Sequence, residues 1–178
     1  EFIENCKTIS TAEKPAQAKA TARAFARFTL ALEEMNTDLL KEVIPGFHDL
    51  SLRFRQFEAS LQTELYERMA IAIELVKELK ERERYCHFFE IITSSDEFPQ
   101  RVMHHDAKIS NVLFHVKSGK VICPVDYDTV MPGYYFSDLG DMIRSMASAA
   151  EENQTAEPVI RKAFYEAIVT GYTDVLGG

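Results

Sequence analysis

From about residue 14 to residue 35, apolar side chains recur at Ala20, Ala24, Phe25, Phe28, Ala31 and Leu32. That is the three-and-four spacing of a helix with one buried stripe. Ser10, Thr11 and Glu13 offer capping groups ahead of it, and Pro15 suits a first helical turn. Ile44-Pro45-Gly46-Phe47-His48-Asp49 reads as a turn. A second helix is predicted over 49–61, with Leu50, Phe54, Phe57 and Leu61 on one face. A third covers 63–80 and is open to continuation past Tyr85 to Ile92; its charged run from Lys77 to Arg84 reads as a solvated face. Ser94 to Pro99 is a loop leading to a short strand at 101–103.

Beyond it the composition turns to β-formers. Asn111 to Val116 and Val121 to Val125 read as two strands, joined by a tight turn at Lys117-Ser118-Gly119-Lys120 with Gly119 at positive φ. A turn centred on Ser118-Gly119 pairs Val116 with Val121 and sets Asn111 opposite Asp126. Opposed residues of an antiparallel pair lie roughly 4.5–5.5 Å apart at Cα, so this register gathers an amide oxygen and a carboxylate. Pro124 donates nothing to a ladder and fits an edge position. Residues 129–136 read as a loop. Ser137 or Asp138 then caps a helix carrying Met142, Ile143 and Met146 to about Ala150. Glu151 to Gln154 forms a polar break, and Pro158 starts a last helix with Ile160, Phe164, Ile168 and Tyr172.

His104, Asp106 and Asn111 have the spacing H-x-D-x-x-x-x-N, that of a kinase catalytic loop. With Asp126 at the far end of the hairpin, the hard oxygen donors suit Mg²⁺, which takes a few carboxylates together with substrate phosphates.

With 46% hydrophobic and 27% charged residues, the 178-residue chain supports a globular core. A net charge of −8 argues against a nucleic-acid partner held by phosphate attraction. Cys6, Cys86 and Cys123 are few, odd in number and scattered, which suggests reduced thiols and a cytoplasmic setting. They form no C-x-x-C and so indicate no zinc site. No signal peptide and no apolar run of membrane-spanning length is present in the sequence. The first residue is Glu1, which reads as a piece of something longer or a processed chain.

The segments HHDAKISNVLF, VDYDTVMPG and SDLGDMIR, with IPGFHD earlier, resemble the aminoglycoside phosphotransferase and choline kinase-like group of small-molecule kinases, and within it the hexosamine-kinase-like branch. The likeness is specific over about Val102 to Ala149. It implies an α+β, mostly helical fold: a protein-kinase-like C-terminal lobe spanning 1–178, with a short β-hairpin carrying the catalytic and metal-binding residues. It implies ATP and Mg²⁺ as cofactors and a small-molecule hydroxyl acceptor, a sugar such as an N-acetylhexosamine. By the same likeness Asp106 is the catalytic base, and Asn111 and Asp126 hold the metal. Asp128 lies near metal or sugar. His104 packs the loop, and Asp138 ties it down. Arg144 supports Asp138, reaches substrate, or makes a surface ion pair. His48, in the F-H-D turn, touches substrate or steadies the turn. Asp138-Leu139-Gly140 also looks like D-F-G, but the hairpin register favours Asp126 for the metal.

Two departures matter. His105 replaces the arginine of H-R-D, which fits a constitutive small-molecule kinase. No G-x-G-x-x-G and no V-A-I-K-type lysine occurs, so the ATP-covering N-terminal lobe is expected to be absent and the chain alone to be nearly inactive. The competing functions are a non-catalytic kinase-like binding domain and a hydrolase. For the latter, a sulfatase lacks its C-x-P-x-R motif here, and a metal phosphatase lacks a His-rich ligand cluster.

Overall fold

The computed structural model describes residues 2–62, 71–148 and 159–177. The predicted start of the third helix, the polar break at 151–154 and Pro158 lie outside them.

The described residues divide into two compact units. One joins Glu1–Val43 to Gln100–Gly178; the other is Ile44–Pro99. In the first, helix α1 spans Pro15–Ala31, four residues short of the predicted end. Its start is closed by Gln17, whose side-chain oxygen accepts the Glu13 and Lys14 backbone N–H groups, both at 2.9 Å. The predicted Ser10-Thr11 cap therefore lies too early.

The last helix of this unit, α6 (Lys162–Leu176), packs against α1. Small residues allow the close approach. A Cβ at Gly171 would meet the Lys19 backbone oxygen at 2.6 Å, and α1 presents Ala18, Ala22 and Ala26 to the core. Phe25 of α1 and Phe164, Ile168 and Tyr172 of α6 complete this seam, as the periodicity predicted; Ile160, expected on the same stripe, instead precedes the helix, bridges to Ser148 and is exposed. Lys19 and Arg23 reach Asp174 at 3.2 and 3.6 Å across its rim. Both pairs are exposed, so they add little to stability.

A three-stranded sheet has the order β1–β3–β4, from Cys6–Lys7, Val112–His115 and Val121–Pro124. Strand β4 is an edge, which answers how Pro124 fits. Strand β1 is too short to carry a pattern in the sequence. A second sheet pairs β2 (Arg101–Met103) with β5 (Met131–Gly133), so the predicted loop at 129–136 contains a strand. Helix α5 spans Tyr135–Met142 and passes into a π-turn at Ile143–Ala147. It starts two residues before Ser137, leaving Asp138 inside the first turn rather than at the cap.

In the second unit α2 covers Leu50–Leu61, and the Asp49 side chain accepts the Leu52 N–H at 2.8 Å. Phe54 and Phe57 stay on the half-buried face, but Leu50 is exposed; buried Ser51 takes the inner position and donates to Glu90 Oε1 at 2.9 Å. The charged run breaks the third helical zone in two, α3 (Ile73–Glu81) and α4 (Arg84–Thr93), with its charges in solvent. Among the described residues no helix is long and apolar enough to cross a membrane.

Candidate active site

The hairpin delivers the site, though not in the expected register. Val112 opposes Pro124 and Leu113 opposes Cys123, but Phe114 opposes Val121, leaving Ile122 as a bulge. The turn is wider than two residues. The His115 N–H donates to Lys120 O, and the Gly119 N–H to His115 O, each at 2.8 Å. Gly119 does take positive φ, at 64°. The wide turn slips the register by two residues at Phe114, and the extra residue in β4 takes one of them back, leaving a net shift of one. Asn111 therefore faces Val125, whose N–H donates to Asn111 O at 2.9 Å, and Asp126 is the next residue along. Asp126 has left-handed backbone (φ 70°, ψ 64°), turns the chain into a 3₁₀ segment at Tyr127–Thr129, and is exposed, as is Asp128.

Asp106 is held from two sides. Asn111 Nδ2 donates to the Asp106 backbone oxygen at 3.0 Å and to its carboxylate Oδ2 at 2.8 Å. Lys108 Nζ meets the same Oδ2 at 2.6 Å, and the Asp106 side chain keeps 27% exposure. That hydrogen bond holds the Lys108 ammonium above its usual pKa. Lys108 escaped the sequence reading; its signal was there, a cation two residues past the carboxylate on an extended loop.

The loop backbone is fixed by Asp138, which is fully buried. Its two oxygens accept the His104 N–H at 3.0 Å and the His105 N–H at 2.8 Å. Burial pushes its pKa up to about 7 against the pull of those two amides. His105 adopts φ 64° to present its N–H in this way. His104 is buried among rings. Phe25 and Phe28 meet it edge-on with centroids 5.0 and 5.8 Å away. Burial lowers its pKa. Its Nε2 lies 2.9 Å from Val125 O and its Nδ1 accepts the Asp106 N–H at 3.4 Å, which selects the neutral Nε2–H tautomer. Thr129 Oγ1 adds a bond to His104 O at 2.7 Å. His104 thus links the loop, the hairpin and α1.

Arg144 engages Asp141, with its Nη2 2.6 Å and Nε 3.1 Å from Oδ1, while both Asp138 oxygens are taken by the loop amides. Asp141 was not anticipated; its Oδ2 is buried without a hydrogen-bond partner among the described residues. His48 belongs to the other unit, where its ring lies 4.5 Å from that of Phe47.

Among the described residues no group of three or more His, Cys, Asp and Glu side chains could hold a metal. The donors that fit Mg²⁺ are the Asn111 amide oxygen, left over once its nitrogen is committed to Asp106, and the exposed Asp126 carboxylate. Two hard oxygens are an ordinary protein share of a magnesium site completed by phosphates.

The arrangement is a partly exposed carboxylate beside an ammonium, on a loop pinned from beneath, with a pair of oxygen donors in the adjoining hairpin. A family model described as the phosphotransferase enzyme family, APH, matches residues 4–174, which takes in every element of this site. The chain belongs to the phosphotransferase enzyme family.

Proposed function

We propose that the chain transfers the terminal phosphoryl group of ATP to a hydroxyl of a small molecule, a sugar such as an N-acetylhexosamine, with Asp106 as the base. The family match favours phosphotransfer over the sulfatase-like and phosphatase alternatives. The observation that carries the reading is the Asp106 carboxylate, fixed by Asn111 and Lys108 yet open to solvent.

Phosphoryl transfer depends on positioning and charge neutralisation more than on covalent help. Asn111 fixes the Asp106 carboxylate relative to its own backbone, so a hydroxyl meets it in one orientation. Asp106 accepts the hydroxyl proton as the oxygen attacks. Lys108 offers its charge to the transferring phosphoryl oxygens. Asp138 holds the loop so that these side chains need no rearrangement on binding. Asn111 and Asp126 would hold Mg²⁺, which when bound neutralises charge on the phosphate oxygens. A phosphate-covering lobe with a glycine-rich loop is proposed to complete the nucleotide site.

The test is ³¹P NMR with Mg²⁺·ATP and N-acetylglucosamine or N-acetylgalactosamine. It is run on these 178 residues and on the chain extended by its natural preceding sequence. A sugar phosphate is expected from the extended chain and little from the shorter one. Asp106→Asn is expected to lower the rate by about a thousandfold or more. Full activity in Asp106→Asn, or no phosphorylated acceptor from either chain, defeats the proposal.

A further inference from the structure

Away from the catalytic loop, α1 and β4 part around a cavity of about 420 Å³. That is the size of a small-molecule site, roughly 300–1,000 Å³. Its floor is apolar, built from Ala24, Phe28, Ile122 and Cys123, and its charged lining residues are Arg23, Arg27 and Lys120. No acidic residue lines it, in a chain whose net charge is −8. Arg23 shares Asp174 with Lys19. Neither Arg27 nor Lys120 forms an ion pair among the described residues. Arg23 and Arg27 stand one helical turn apart on α1, and Lys120 comes from the hairpin, so the cations converge from two elements. Ile122, the bulged residue of β4, leaves 40% of its surface exposed beside them.

We propose that this cavity binds a small amphiphilic anion, a flat apolar body bearing one carboxylate or phosphate. The body covers Phe28 and Ile122, removing apolar surface from water. The head pairs with Arg27 and Lys120, and a guanidinium can take either head with two parallel hydrogen bonds. The cavity also reaches the loop structure through Phe28, which meets His104 edge-on. The Phe28 ring stacks on Tyr127 at 5.5 Å, with planes 8° apart, and Tyr127 directly follows Asp126. A ligand seated on Phe28 is therefore one ring from the proposed metal-binding residue.

The test titrates the full 178-residue chain with 1-naphthylacetate, 1-naphthyl phosphate and neutral 1-naphthaleneethanol, followed by amide NMR and calorimetry. At least one anion is expected to bind about tenfold or more tighter than the alcohol, shifting the amides of Ala24, Phe28, Ile122 and Tyr127. The better anion identifies the head group. A double variant, Arg27→Gln with Lys120→Gln, is expected to weaken it about tenfold without changing the thermal midpoint, since both side chains are exposed. Equal binding of the alcohol, or indifference to the double variant, overturns the proposal. So does displacement by a non-hydrolysable ATP analogue, which would assign the cavity to the nucleotide, or tighter binding of an acidic hexapeptide.

Discussion

Asn111 grips Asp106 twice through one amide nitrogen, at the backbone oxygen and at the carboxylate. The two bonds fix the carboxylate against its own main chain, so its direction is set before substrate arrives. Replacing Asn111 by Ala frees the Asp106 rotamer and removes an oxygen donor for magnesium. The expected result is a fall in phosphotransfer of about a hundredfold or more, read with circular dichroism to confirm the fold. Asn111→Asp is more informative. It sets a second carboxylate within hydrogen-bond reach of the first, and like charges so close cannot both ionise freely. The acid limb of the pH–rate profile is expected to move to higher pH. An unmoved limb would mean that Asp106 does not govern it.

Lys108 and Asp106 form a short ion pair, at 2.6 Å, but both remain partly in solvent. Removing the lysine is therefore expected to change stability by about 1 kcal/mol or less. Its effect belongs in the reaction. Lys108→Met is expected to lower kcat about ten- to a hundredfold with a smaller change in KM for the acceptor, and Lys108→Arg to recover part of the loss. A loss confined to KM would make Lys108 a ground-state binding residue instead.

Some of this site was legible in the chain. The H-x-D-x-x-x-x-N spacing, the hairpin and the positive φ of Gly119 all follow from residue type, because each rests on local chemistry. The register did not follow, because the turn is wider than two residues and the bulge at Ile122 depends on how β4 meets β3, and neither leaves a mark in an alternating apolar run. The local pattern alone offered Asp138, with Ser137, as a helix cap, a role that aspartate fills often; that it ties down the loop was an expectation from the family resemblance, not from its neighbours in the chain. Its actual partners, the amides of His104 and His105, lie more than thirty residues away. Strands β1 and β5 were missed for a related reason: at two and three residues they exist through their pairing. The long helical stripes of α1 and α6 were the most readable, since a buried face repeated over several turns outweighs any single position.

Asp138 carries the pH dependence. Its pKa is pushed up to about 7 in the fold by burial, against about 3.9 when unfolded. Between those values the folded chain holds a proton that the unfolded chain has released. By linkage this contribution to stability is full below the unfolded value, declines as pH rises, and is gone above the folded one. Asp138→Asn cannot ionise and lacks the slope. The stability gap between wild type and Asp138→Asn is thus expected to be widest near pH 4 and to narrow by a few kcal/mol toward pH 8. Urea titrations at successive pH values measure it, and the comparison cancels the contribution of buried His104. A gap that widens with pH would mean that the two amide donors outweigh burial and keep Asp138 ionised.

Gly133 stands where no side chain fits. A Cβ there would lie 2.3 Å from His105 Cε1 and 2.5 Å from its Nε2. His105 cannot simply swing aside. Its backbone is committed to Asp138, and its ring nitrogen lies 3.3 Å from Pro132 O on the neighbouring strand. Gly133→Ala is expected to destabilise the chain by about 1–3 kcal/mol, the usual cost of overpacking, and to slow phosphotransfer by displacing the loop that carries Asp106. His105→Gly removes the ring and accepts the positive φ at that position without strain. The double variant is therefore expected to lose less stability than the sum of the two single changes. Urea midpoints of the four chains in this cycle decide the matter. Strict additivity would mean that Gly133 is required for the β2–β5 pairing itself and not for the space it leaves to His105.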